Sequence, residues 1–205
     1  MRASTTPRPN GQWFAGSADG HRWWFDSGAI ALDFAYTGAM GQARPEWERW
    51  HTPTELAEWL GERFEGLDAA ATDRDLTDAR ALRSAIARLA TGISRGVEPD
   101  GDDVDVVNLF AATPDIPPVL DGGRRQAGRS RARVGQALSE IAREAVGLFS
   151  VDARHRIREC AADDCALVFY DGSRSNNRRW CSMQRCGNRA KVRAYRANAS
   201  VTDVQ

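Results

Sequence analysis

Four cysteines carry the defined chemistry of this chain: Cys160-x4-Cys165, fifteen intervening residues, then Cys181-x4-Cys186. Two thiol pairs separated by one hairpin-length segment are what a tetrahedral zinc ion gathers, at about 2.3 Å per sulfur. The expectation is one structural zinc ion on Cys160, Cys165, Cys181 and Cys186. Four thiolates leave no open position for water or substrate, which argues against a catalytic metal. Disulfides are the competing use of paired cysteines, but they need an oxidising compartment to persist. Oxidation that ejects the metal would turn the same set into a redox switch, which nothing in the sequence singles out.

Arginines surround the cysteines. After Cys186, Arg189, Arg193 and Arg196 stand at i, i+4 and i+7, on one helical face. Arg174, Arg178 and Arg179 precede the second thiol pair. With Asn188 and Lys191 these form a candidate nucleic-acid surface, guanidinium groups to phosphate and loop arginines to bases, with Asn176, Asn177 and Gln184 as further polar partners. A solvated arginine face is the bland alternative. Val192 and Tyr195 lie on the other side of this helix and are expected to pack on the hairpin.

The formal net charge is zero, yet residues 151–205 carry 11 Lys+Arg against 6 Asp+Glu, leaving 17 against 22 for residues 1–150. That asymmetry points to an anionic partner for the C-terminal part. Lys191 is the one lysine among 28 basic residues, but an arginine bias also follows from genomic base composition and weighs little.

Six of the seven tryptophans fall in the first sixty residues. Core aromatics explain most of such a cluster. The sharper reading is an aromatic-lined pocket for a small effector, built from Trp23, Trp24, Asp33 and Tyr36, with Arg22 or Arg44 as polar contacts. Enzymatic signatures are absent: His21, His51 and His155 lie in unrelated contexts, with no HExxH, no GxSxG and no phosphate-cradling glycine loop, so no catalytic residue is assigned.

The elements that must position these residues read as mainly helical. Residues 1–12 form a lead-in expected to be disordered; Trp23-Trp24-Phe25 is a strand candidate, and 29–35 a second strand or the opening of a helix. Thr52-Pro53-Thr54-Glu55 forms a capping box for a helix to about Leu60. Leu82, Ile86, Leu89 and Ile93 mark a long helix from Asp73 to Ser94; shorter ones run from Asp102 to Ala111 and from about Val134 to Phe149. Residues 114–133 suit a hairpin or exposed loop. Strands at 154–159 and 166–170 flank the first cysteine pair, and a helix of about ten residues follows Cys186, a treble-clef-like finger. No apolar run approaches the length of a membrane span, roughly 18 residues, and the N-terminus lacks a signal-peptide core, so the expected location is cytoplasmic, on the nucleoid if DNA is bound.

Arg178-Arg179-Trp180-Cys181-Ser182-Met183, with Cys186-Gly187-Asn188-Arg189-Ala190-Lys191-Val192-Arg193, resembles the signature of the CGNR zinc-finger family over about residues 150–197. Upstream, Ala31-Leu32-Asp33-Phe34-Ala35-Tyr36-Thr37 resembles the LDF-x-NT opening of the ABATE domain, with Tyr36 in place of the usual Asn, over roughly residues 13–145. The resemblance implies a bacterial stress-induced transcription regulator with zinc on the four cysteines. The expected organisation is a multihelical N-terminal domain (13–149) with a small β-hairpin element, a treble-clef-like finger (150–197) and a flexible tail (198–205). The expected function is zinc-dependent DNA-binding regulation, the body sensing an effector or forming a homodimer. The alternative is a protein-interaction module that docks on RNA polymerase or another regulator without touching DNA.

Overall fold

A computed structural model describes residues 11–15, 22–40, 45–64, 66–67, 70–118 and 132–202. In chain order its elements are strands β1 (Gln12–Ala15) and β2 (Arg22–Phe25), helices α1 (Ile30–Ala35), α2 (Pro53–Gly61), α3 (Asp73–Ser94), α4 (Gly101–Ala111) and α5 (Val134–Phe149), strands β3 (Ile157–Glu159) and β4 (Val168–Tyr170), and helix α6 (Asn188–Thr202).

Local chemistry sets the helix starts. The Thr52 hydroxyl accepts from the Glu55 amide at 3.4 Å while the Glu55 carboxylate accepts from the Thr52 amide at 2.8 Å, with Pro53 at the first helical position. Thr72 and Asp75 repeat the device on α3, at 3.2 and 2.8 Å. Asp100 accepts from the Asp102 amide at 3.0 Å to open α4. Behind these caps, Leu56 and Leu60 on α2, Leu82, Ile86 and Leu89 on α3, and Leu138, Ile141 and Ala145 on α5 are buried. Gly96, at φ +75°, lies just past the end of α3.

Two expectations need correction and one open alternative is resolved. The segment 29–35, open between strand and helix, is helix α1 from Ile30 onward, because Ala31, Leu32, Phe34 and Ala35 are all buried and no face alternates to solvent as an exposed strand would require. The partner of β2 is therefore β1, antiparallel, with Phe14 opposite Trp23 and Gln12 opposite Phe25. The expected lead-in thus stops short of Gln12, which is buried; residues 1–10 lie outside the described residues, as do 119–131 of the expected hairpin or loop. At the other end α6 runs to Thr202, taking in the first five residues of the expected tail.

Helix α3 is the axis of the molecule, touching α1, α2, α4, α5 and both strands of the C-terminal hairpin. One apolar core runs from Leu32, Ile86 and Leu138 into Leu167, Val168 and Phe169. The hairpin is also stitched to the body by hydrogen bonds. Tyr36, fully buried, donates its hydroxyl to the Val168 carbonyl at 3.0 Å and accepts from the Val168 amide at 2.7 Å. The Tyr170 amide donates to the Ser27 carbonyl at 2.7 Å. Next to it Gly28, at φ +87°, has no alternative: a Cβ there would stand 2.4 Å from the Tyr170 carbonyl oxygen. No helix among the described residues is long and apolar enough to cross a membrane.

Candidate metal centre and arginine-rich helix

The β3–β4 hairpin brings the first thiol pair together. It is antiparallel, Ile157 opposite Tyr170, and extends by a bond from the Cys160 amide to the Leu167 carbonyl at 2.8 Å, leaving 161–166 as the knuckle. The Ala161 amide donates to the Arg179 carbonyl at 2.9 Å, drawing in the segment that carries Cys181, whose amide donates to the Cys160 sulfur at 3.3 Å. Cys186 sits in a wide helical turn, Met183–Gly187, that leads directly into α6.

The four Sγ atoms lie within 4.8 Å of one another, Cys165 to Cys181 at 3.7 Å and Cys181 to Cys186 at 3.5 Å. A tetrahedron of 2.3 Å bonds has an edge of about 3.8 Å, close to both of these distances, so the donor set is one that a single zinc ion can gather. Protonation chemistry agrees. Hydrogen bonds from Cys165 and Cys181 hold Cys160 as a thiolate, at about 2. The same bond, with burial, pushes Cys165 up to about 12 and Cys181 well above the usual thiol range. Without a cation Cys160 is the negative sulfur against protonated Cys165 and Cys181; a divalent ion permits four thiolates at once.

A model of the family described as "Putative stress-induced transcription regulator", ABATE, matches residues 28–152. The chain belongs to the ABATE family. The CGNR zinc-finger model matches residues 156–199, so the metal centre is that of a CGNR finger following the ABATE domain, and it binds one structural zinc ion. No curated protein matches the chain.

In the CGNR finger the basic residues expected to meet nucleic acid divide into three groups. Arg189 donates to the Cys186 sulfur at 3.2 Å and to Asp164 at 2.9 Å, and Arg193 donates to Asp164 at 3.2 Å. Their shared helix face, expected to meet phosphate, is turned onto the acidic knuckle Asp163-Asp164 instead. Arg178 departs further. Its guanidinium lies 4.2 Å from the Phe169 ring centroid and donates to the backbone carbonyls of Trp180, Asp26 and Cys181 at 3.1, 2.8 and 2.6 Å, a brace between finger and body. Burial lowers its pKa from the ordinary arginine value. The third group, Arg174, Arg179, Lys191 and Arg196, is exposed with Asn188.

Because the arginine face folds onto the knuckle, the opposite face of α6 is turned outward. Val192 and Tyr195 are 48% and 76% exposed, contrary to the expectation that they pack on the hairpin.

The expected effector pocket is not assembled. Asp33 and Tyr36 are core residues, 1% and 0% exposed. Asp33 accepts from the Gly11 amide at 2.5 Å and the Ser27 hydroxyl at 2.6 Å, and burial, outweighing these bonds, raises its carboxyl to about 6. Trp23 is half-buried, stacked on Phe14 at 5.3 Å and capped by the Arg185 guanidinium at 4.4 Å. Trp24 stands on the opposite face of the ribbon from Trp23. The role of Tyr36 as a joint to Val168 has one sequence signal, a polar-tipped ring at the end of the apolar run 29–35 whose hydroxyl needs a partner.

Proposed function

We propose that this ABATE protein is a zinc-dependent DNA-binding transcription regulator whose finger meets the phosphate backbone through Arg174, Arg179, Lys191 and Arg196, with Asn188 at the base of α6. The observation that carries this reading is the position of α6. Zinc anchors its N-terminus through Cys186, and its basic exposed residues extend from a rigid base. Arg193 joins them on binding, since partly exposed ion pairs are worth about 0–1 kcal/mol and a phosphate competes with Asp164. The body senses an effector or dimerises, and no catalytic step is assigned to either part. Full-length zinc-loaded protein should bind random duplex DNA with an affinity that falls steeply with salt. Arg179→Ala or Lys191→Ala should each reduce the log–log salt slope by about one. Absence of any shift at low salt would sink the DNA reading.

The exposed Val192 and Tyr195 favour one alternative, docking on a protein such as RNA polymerase. Polymerase binding that is insensitive to salt and lost in Tyr195→Ala, with no DNA shift, would replace the first reading with this one.

A further inference from the structure

Between the β1–β2 ribbon of the body and the segment that leads to Cys181 runs a groove of about 690 Å³, lined by Trp24, Asp26, Arg179, Trp180 and Met183 among others. Strand alternation explains its aromatic wall. Gln12, Phe14, Trp23 and Phe25 share the face of the ribbon that turns inward, so Trp13 and Trp24, directly opposite each other in register, share the outer one. Their rings meet edge to face at 5.5 Å and remain 49% and 41% exposed. The Trp24 ring is held in place from behind, because it lies over Gly11, where a Cβ would come within 2.7 Å of the indole nitrogen. On the finger side, half-buried Trp180 carries the exposed Arg179 guanidinium 5.2 Å from its ring centroid. Among the described lining residues the one carboxylate is Asp26, which accepts from the Gly28 amide of its own turn at 2.8 Å.

We infer that this groove is a binding site for unpaired nucleotides: a base stacks on Trp24 while the adjoining phosphate is met by Arg179. The inference rests on the nucleic-acid reading and specifies its substrate as single-stranded or locally melted nucleic acid. Two features select that occupant. A solvent-facing indole in a fixed orientation offers a stacking surface, which paired bases inside a duplex cannot use and splayed bases can. The cationic lip favours a polyanion over an apolar or acidic-poor peptide. Body and finger each supply one wall, so the site exists in the full chain alone. Arg178, bonded to Asp26, Trp180 and Cys181, fixes the distance between the walls.

The test uses full-length zinc-loaded protein, a fluorescein-labelled oligo(dT) and a random duplex of the same length, read by anisotropy with zinc content and circular dichroism as folding controls. The expected result is that Trp24→Ala weakens oligo(dT) binding about tenfold, as loss of one stacked base does. Trp24→Phe should restore most of it, and duplex binding should change less than about twofold. Arg179→Ala, which leaves the ribbon intact, should lower the oligo(dT) salt slope by about 0.7. Equal losses on both probes, or no loss on oligo(dT), overturn the inference and leave the duplex reading standing. Binding to neither probe overturns both. Capture of a polyproline peptide at Trp24 in place of oligo(dT) assigns the groove to a peptide and overturns it as well.

Discussion

At the scale of single residues, three side chains do work that their types do not announce. Tyr36 satisfies both backbone groups of Val168 inside the core, so Tyr36→Phe leaves a buried N–H and C=O unpaired, which costs about 1–3 kcal/mol. Urea unfolding of the zinc-loaded protein should show that loss with little change in m-value. Asp33 is the second. Its folded-state pKa of about 6 lies above the unfolded value near 4, so the folded state binds its proton more tightly. The protonated carboxyl is tolerated fully below about pH 4, and stability is lost as pH rises through about 6. Relative to Asp33→Asn, the parent should therefore lose about 2 kcal/mol between pH 4 and pH 7, measured as the difference between the two unfolding free energies. A flat difference would contradict the buried placement. The third, Arg178, braces three carbonyls. A bare sequence cannot separate such a brace from a solvent-facing arginine, because both carry the same charge and sit in the same kind of loop.

At the scale of elements, legibility followed local physics. Capping at Thr52 and the periodic leucines and isoleucines of α3 and α5 placed those helices within a residue or two, since the signals are short-range and the residues carry them on their own. The cysteine spacing likewise carries its metal geometry. What could not be read depended on distant partners. β1 is four residues long and exists because Phe25 and Trp23 need a cross-strand cover. The orientation of α6 depends on Asp163-Asp164, 25 residues upstream of Arg189, so helical spacing correctly grouped Arg189 and Arg193 on one face but could not say where that face points. Because Arg189 touches the Cys186 sulfur, Arg189→Ala should weaken zinc retention about 10- to 100-fold in competition with a chelator, as loss of an outer hydrogen bond to a metal ligand does. Arg193→Ala, which reaches Asp164 but has no such bond to a sulfur, should leave retention nearly unchanged.

At the scale of the whole molecule, the CGNR finger and the ABATE domain, although matched by separate family models, share one core. Phe169 and Val168 are as buried as the leucines of α3, and the turn 26–28 contacts the finger through Ser27, Gly28 and Asp26, whose carbonyl accepts from Arg178. Zinc therefore stabilises more than the fifty residues around it, because a hairpin that loses its metal also uncovers the body. The charge asymmetry of the sequence fits the same picture: a basic C-terminal part held at a fixed angle on an acidic body presents one oriented cationic surface rather than a tethered one. The direct test is a calorimetric melt of the full-length protein with one equivalent of zinc, repeated after chelation. The structure predicts a single cooperative transition that shifts to lower temperature as a whole when zinc is removed. Two transitions, with the ABATE part melting at an unchanged temperature after chelation, would contradict it.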